Sequence, residues 1–209
     1  MGNISPIRKE EIETDQPVNI GDRAIDNVRY IREMMERSAH FTAVPGWGGM
    51  LMGATAIAAA FQANYYLPDR RTWLFVWLGE AVLACAIGML TLWQKSKFEG
   101  QPLSSSVPGR KFLFSFAPPL VCGIAITLGL WRYEHYEVMA PVWMLCYGAA
   151  VVTGGAFSVK PVPVMGWLFI ALGSTAFILP ASYGDYLMGA SFGVLHIIFG
   201  AIIARRYGG

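Results

Sequence analysis

The chain has 209 residues, 55% of them hydrophobic and 14% charged, and its formal net charge is only +2. So small a surplus of cations on so apolar a chain argues against a nucleic-acid surface, and the hydrophobic content is above that of an ordinary soluble domain. Cys85, Cys122 and Cys146 are odd in number and all fall in apolar stretches, so they read as small buried hydrophobes and not as a disulfide framework.

In chain order, residues 1–18 carry several charges, Lys9, Glu10 and Glu11 among them, with no helical stripe; a flexible tail is expected unless a partner holds it. Residues 19–44 differ. Asp22 can cap a helix whose apolar stripe is Ala24, Val28, Ile31 and Met35, at spacings of four, three and four, with Arg29, Arg32, Glu33 and Glu36 displaced from it. This predicts a cytoplasmic amphipathic helix, either lying at the bilayer interface with its arginines near anionic headgroups or docking another subunit. The first forty residues are polar, so no secretory signal is expected. Pro45-Gly46-Trp47-Gly48-Gly49 reads as a hinge into the first apolar run; no Lys-Ser or Lys-Thr pair closes it as a phosphate loop requires.

Six apolar stretches of about twenty residues follow, over Pro45–Leu67, Trp73–Trp93, Phe112–Trp131, Val138–Ser158, Pro161–Pro180 and Gly184–Ala204. A helix rising about 1.5 Å per residue crosses a hydrocarbon core of roughly 30 Å in that length and satisfies its own backbone hydrogen bonds there. The reading is an all-α polytopic membrane protein, a six-helix transmembrane bundle over residues 45–204 with a short tail at 205–209. The last three spans are joined by very short connections and must be antiparallel neighbours.

Lys and Arg set the orientation. Thirteen flank one side: Arg8, Lys9, Arg23, Arg29, Arg32, Arg37, Lys95, Lys97, Arg110, Lys111, Lys160, Arg205 and Arg206. Only Arg70, Arg71 and Arg132 flank the other. Both termini are therefore expected in the cytoplasm. Tyr65, Tyr66, Trp73, Trp131, Tyr133, Tyr136, Tyr183 and Tyr186 would mark the outer boundary, and Trp47, Trp93 and Tyr207 the inner one.

Within the spans, Gly49 and Gly53, Ala150 and Gly154, and Gly189 and Gly193 form small-xxx-small steps that suit close packing within the chain. Leu51-Met52-Gly53-Ala54 recurs as Leu187-Met188-Gly189-Ala190, a hint of an inverted duplication. Two ionisable residues stand out at membrane depth, Glu80 and His196. Glu80 shares a face with Ala84, Gly88 and Thr91, and His196 shares one with Gly189, Gly193 and Gly200. Together they could carry a proton across the bilayer, although helical rise places them roughly 7 Å apart in depth, so a water would have to bridge them. Equally, each could hydrogen-bond a neighbour and fix the packing.

Pro118-Pro119 should break the third span and free carbonyls near Phe114 and Ser115, with Ser115, Pro119 and Cys122 on one face as a candidate polar crevice. His196 has no second histidine at similar depth to complete a bis-histidine haem site, because His40 and His135 fall outside the hydrocarbon. Glu134, His135 and Glu137 do not define a metal shell and read as solvated loop charges. No metal and no cofactor is expected.

Tyr30-Ile31-Arg32-Glu33, Phe41 to Gly48, Leu195-His196-Ile197 to Gly200 and Arg205-Arg206-Tyr207-Gly208 together resemble a group of small uncharacterised bacterial inner-membrane proteins with six spans. That resemblance implies a bacterial cytoplasmic membrane and assigns no chemistry. The functional expectation is a non-catalytic accessory or interaction subunit of a larger membrane assembly, since the loops are too short to build a soluble active site. Its partners would be the lipid bilayer and other membrane subunits, met through the N-terminal helix or the lipid-facing spans, and no nucleic acid. The competing expectation is a small proton-coupled transporter using Glu80, His196 and the Pro118-Pro119 break. A lipid-modifying enzyme lacks the clustered acids, histidines or metal ligands it would need.

Overall fold

The structure is a computed structural model that describes residues 25–31, 35, 44–66, 69–98 and 106–208. The chain divides between Arg37 and Ser38 into two units. In the first, residues 25–31 are helical, an exposed Asp26–Arg29 pair spans one turn at 3.6 Å, and Val28, Ile31 and Met35 of the expected stripe are exposed; Ala24 and the tail over 1–18 lie outside the described residues.

The second unit is helical throughout, with no strand among its described residues. Its helices are α1 Gly46–Tyr65, α2 Arg70–Phe98, α3 Val107–Arg132, α4 Met139–Gly155, α5 Pro161–Ile178, α6 Gly184–Met188 and α7 His196–Tyr207. A π-helical stretch, Gly189–Leu195, joins α6 to α7 without a break. Five segments are long and apolar enough to cross a membrane: Arg70–Phe98, Val107–Arg132, Tyr136–Gly155, Pro161–Ile178 and Ala181–Tyr207.

The first expected span is the exception. Its 20 residues reach about 30 Å, yet Gly46, Gly48, Gly49, Gly53, Gln62 and Asn64 dilute its apolar character. Glycine has instead let it pack closely on α7 and the π stretch. A Cβ on Gly46 would fall 2.4 Å from the Ala204 nitrogen, one on Gly53 2.5 Å from the Gly193 carbonyl, and one on Gly200 2.7 Å from the Gly46 carbonyl. The small-residue steps of α1 and of the π stretch are thus two sides of one seam within the chain. The repeated Leu-Met-Gly-Ala stretches lie on that seam, Gly53 against Gly193 and Gly189 against Ala60.

A second seam joins α4 to α5, where a Cβ on Gly166 would meet the Val152 nitrogen at 2.7 Å and one on Gly155 the Pro163 nitrogen at 2.9 Å. Helix α3 packs on α4 and helix α2 on α1, so these two helices, consecutive in sequence, stand on opposite flanks and do not pack extensively against each other. Both are edge helices, with Val82, Met89, Leu90, Val121 and Ile124 exposed.

Helices α2 and α3 also outrun their expected spans. At one end Asp69 caps α2, accepting from the Thr72 hydroxyl and from the Arg71 and Thr72 backbone N–H groups; the Thr72 hydroxyl bond, followed by the Thr72 N–H, holds the Asp69 carboxyl below its usual range. At the other end Lys95 Nζ donates to the carbonyls of Val44 at 3.1 Å and Tyr207 at 3.2 Å, and also to that of Gly208. A cation at the carboxyl end of α7 answers its unpaired carbonyls and its dipole. Helix α3 begins on Ser106, whose hydroxyl accepts from Gly109 N, with Pro108 in its first turn.

Pro118 and Pro119 lie inside an unbroken α3. The carbonyl of Ser115, left without its donor by Pro119, receives the Thr153 hydroxyl of α4 at 2.8 Å. The helix break expected at the proline pair is absent, and the carbonyl that Pro119 leaves free is met by α4.

Candidate functional site

Three separate polar clusters lie at membrane depth. The first centres on Glu80 in α2, which is 9% exposed. Its Oε1 accepts from the Thr55 hydroxyl of α1 at 2.9 Å, and the same hydroxyl lies 2.9 Å from the Met52 carbonyl, so one proton serves both acceptors. The expected face of α2 is indeed the one turned to α1: Gly88 lies against Met52 and Thr91 against Gly48. Glu80 Oε2 has no hydrogen bond among the described residues. Glu80 lines a groove of about 520 Å³ between α1 and α2, with Thr55, Gln62 and Thr72 as its other polar residues and Ala58, Ala59, Phe75, Val76, Gly79 and Leu83 as its apolar ones.

The second cluster is His196, the first residue of α7. Its Nε2 lies 2.7 Å from the Tyr147 hydroxyl of α4, and its ring is packed among Tyr147, Phe169 and Phe192 at centroid distances of 5.4, 5.5 and 6.4 Å. Either neutral tautomer can form the Tyr147 bond; Nδ1 is then buried without a partner among the described residues. The sequence spacing placed this imidazole on the face of Gly193 and Gly200. In the structure the His196 carbonyl lies against Gly49 in that seam, while the imidazole meets Tyr147 of α4 and Phe169 of α5.

The third cluster was not anticipated. Asp185, at the start of α6 and only 3% exposed, accepts at Oδ1 from both the Trp73 and the Trp77 indole N–H, at 2.8 and 2.9 Å. Trp73 stacks on Trp143 of α4 at 5.7 Å with a 6° interplanar angle, and Trp143 Nε1 donates to the Thr127 hydroxyl of α3 at 2.7 Å. One carboxylate thus ties α2 to α6, and the Trp143 ring ties both to α4 and α3. One expectation falls with it: among the described residues the spans hold three buried ionisable side chains and not two, and Trp73 and Tyr136, expected at the outer boundary, are buried. The signal that could have found the site is the i, i+4 pair of indoles on α2, whose N–H groups project from one face and require a shared acceptor once buried.

These clusters do not meet. Glu80 and His196 share no partner, and neither His196 nor Tyr147 lines the groove at Glu80. No three His, Cys, Asp or Glu side chains converge among the described residues as a metal site would need, and the His135–Glu137 contact at 3.4 Å is exposed.

No known protein family, curated protein or solved structure matches this chain. The functional reading therefore rests on the three clusters alone.

Proposed function

We propose that this protein is a non-catalytic subunit of a larger membrane assembly, a six-span protein of a bacterial cytoplasmic membrane with both termini on the cytoplasmic side. The observation that carries the reading is the isolation of its buried polar groups. Asp185 Oδ1 is held by two indoles, with Oδ2 buried and without a hydrogen bond among the described residues, and His196 is held by Tyr147 inside an aromatic box, so each works as a clasp between helices, while Glu80 lines a groove between α1 and α2. A carrier needs a polar route from face to face; a subunit needs a rigid core and a lateral surface.

Counting α1 as the sixth span is supported by its seam, which follows α7 and the π stretch from Gly46–Ala204 through Gly53–Gly193 to Ala60–Gly189, most of the length of a crossing helix. Orientation is supported by the bias of Lys and Arg toward the end that carries Lys95, Lys97 and Arg205. Bacterial origin rests on the resemblance carried by Phe41 to Gly48 and Leu195 to Gly200. The proton-coupled transporter keeps one observation in its favour, the groove at Glu80, but has no second titratable group to receive the proton from it.

The test is purification in mild detergent from the native membrane, followed by native mass spectrometry. A stoichiometric complex with other membrane proteins is expected. A lone monomer or a homo-oligomer would overturn the proposal and return the weight to transport.

A further inference from the structure

We infer that the groove between α1 and α2 is the seat of a transmembrane helix of another protein, one that brings a cationic or amide hydrogen-bond donor to Glu80. The inference rests on the subunit reading above and deepens it. A carboxyl group about 15 Å along α2 from Arg70 sits well inside a hydrocarbon core of roughly 30 Å, and there an unmet hydrogen-bonding oxygen is costly. Among the described residues Thr55 bonds Oε1 and nothing bonds Oε2, and Glu80 lines the groove.

The shape of the groove suits a helix. Its apolar lining combines the small residues Ala58, Ala59 and Gly79 with Phe75, Val76 and Leu83, and a Cβ placed on Gly79 would meet nothing within 4 Å. At the small residues a second backbone can approach closely, as small-xxx-small surfaces allow in lipid. Its polar residues are graded in depth: Thr72 near the start of α2, Gln62 one turn inside the end of α1, then Glu80 with Thr55. A lipid in the same place would hold its headgroup near Arg70 and Arg71 and offer only acyl carbons at the level of Glu80. A second copy of this chain is no better. Its other ionisable side chains at that depth, Asp185 and His196, are buried in their own clusters, so a two-fold contact would set one Glu80 against another. A donor from a different protein remains, and the complementary charge or amide that such helices use is what Oε2 lacks.

The test is photo-crosslinking in native membranes with the full chain, placing a benzophenone amino acid at Phe75 on the groove rim and, separately, at Ile124 on the far flank, both exposed. The expected result is an adduct from position 75 to a transmembrane segment of another protein that carries Lys, Arg, Gln or Asn at the depth of Glu80. Glu80→Leu should lower its yield at least fivefold at equal protein level, and Glu80→Lys combined with an acidic residue at the partner's donor position should restore it. Lipid-only adducts at 75, a second copy of this chain, or a partner segment without such a donor would each overturn the groove assignment. If position 124 then still captures another membrane protein, the subunit reading stands without this site. If neither position yields a protein adduct, both fall.

Discussion

Two polar groups at membrane depth, each with a single hydrogen-bonding partner, have opposite surroundings. His196 meets Tyr147 where α4, α5 and α7 converge, behind Phe169 and Phe192, and nothing outside the bundle can touch it. Glu80 meets Thr55 at the contact of α1 with an edge helix, where it lines the groove and its second oxygen has no hydrogen bond among the described residues. The difference lies in how many helices surround each group. A polar residue walled in by three helices can only organise them, whereas one held between two retains a free side, and in a bilayer that side faces either lipid or another protein.

The contrast is broken most severely through glycine. Gly166→Ala on the closed side would push a methyl group to 2.7 Å from the Val152 nitrogen and 2.8 Å from the Gly148 carbonyl, both backbone atoms that cannot swing aside. A loss of about 3 kcal/mol is expected, at the upper end for overpacking. Gly79→Ala on the open side meets no atom within 4 Å and should be neutral or stabilising by up to about 1 kcal/mol through helix propensity. Unfolding in mixed micelles of mild detergent and dodecyl sulfate measures both; equal effects at the two positions would mean that the α1–α2 groove is as tightly closed as the α4–α5 seam.

Asp185 ranks next. Asp185→Ala strands the Trp73 and Trp77 N–H groups in a buried place, at about 1–3 kcal/mol for each group left unsatisfied. Asp185→Asn keeps an acceptor oxygen for them and should recover more than half of the loss. Intrinsic fluorescence reports the event directly, since Trp73, Trp77 and Trp143 are released together; an unchanged spectrum in a destabilised Asp185→Ala protein would show that the indoles find other partners.

The order of these effects follows what could be read from sequence. Helices were legible because hydrocarbon forces long apolar runs, and α4 and α5 follow the expected spans to within a few residues. The ends of α2 and α3 were not, since Lys95, Lys97 and the Ser106 cap extend helical turns into polar surroundings that hydropathy scores as loop. Glu80 was legible, since Ala84, Gly88 and Thr91 announce a packed face. Asp185 was not: an acid next to Gly184 at the head of a span looks like a boundary charge, and its donors lie 112 and 108 residues away, a pairing that no local spacing records. The π stretch escaped for a related reason: Gly189 and Gly193 signal close packing but not the wider turn that contains them.

Tyr147→Phe sharpens the comparison at lower cost. It removes one buried hydrogen bond from His196 and leaves the ring contacts with Phe116, Phe169 and Phe192 in place. Interhelical bonds of this kind in membranes are worth about 0.6 kcal/mol on average and at most about 1.7. A double-mutant cycle with His196→Phe should return a coupling in that range. Coupling close to zero would make the aromatic packing, and not the hydrogen bond, the clasp at this point.

The smallest effect on the fold belongs to Glu80, and there the absence of an effect is informative. Glu80→Gln keeps the shape and still offers Thr55 an oxygen, so the bundle should change by less than about 0.5 kcal/mol, as substitutions away from closed packing generally do. If Glu80 were a clasp like Asp185, the isolated protein would register its alteration in an unfolding experiment. If its free oxygen is instead reserved for a neighbour, the change appears only where that neighbour is present. The two stabilities to compare are therefore those of Glu80→Leu in the purified chain and in the native membrane, read as resistance to dodecyl sulfate and to added protease. A penalty confined to the membrane places the partner of Glu80 outside this chain, whereas an equal penalty in both makes the α1–α2 groove a closed structural feature like the other two clusters.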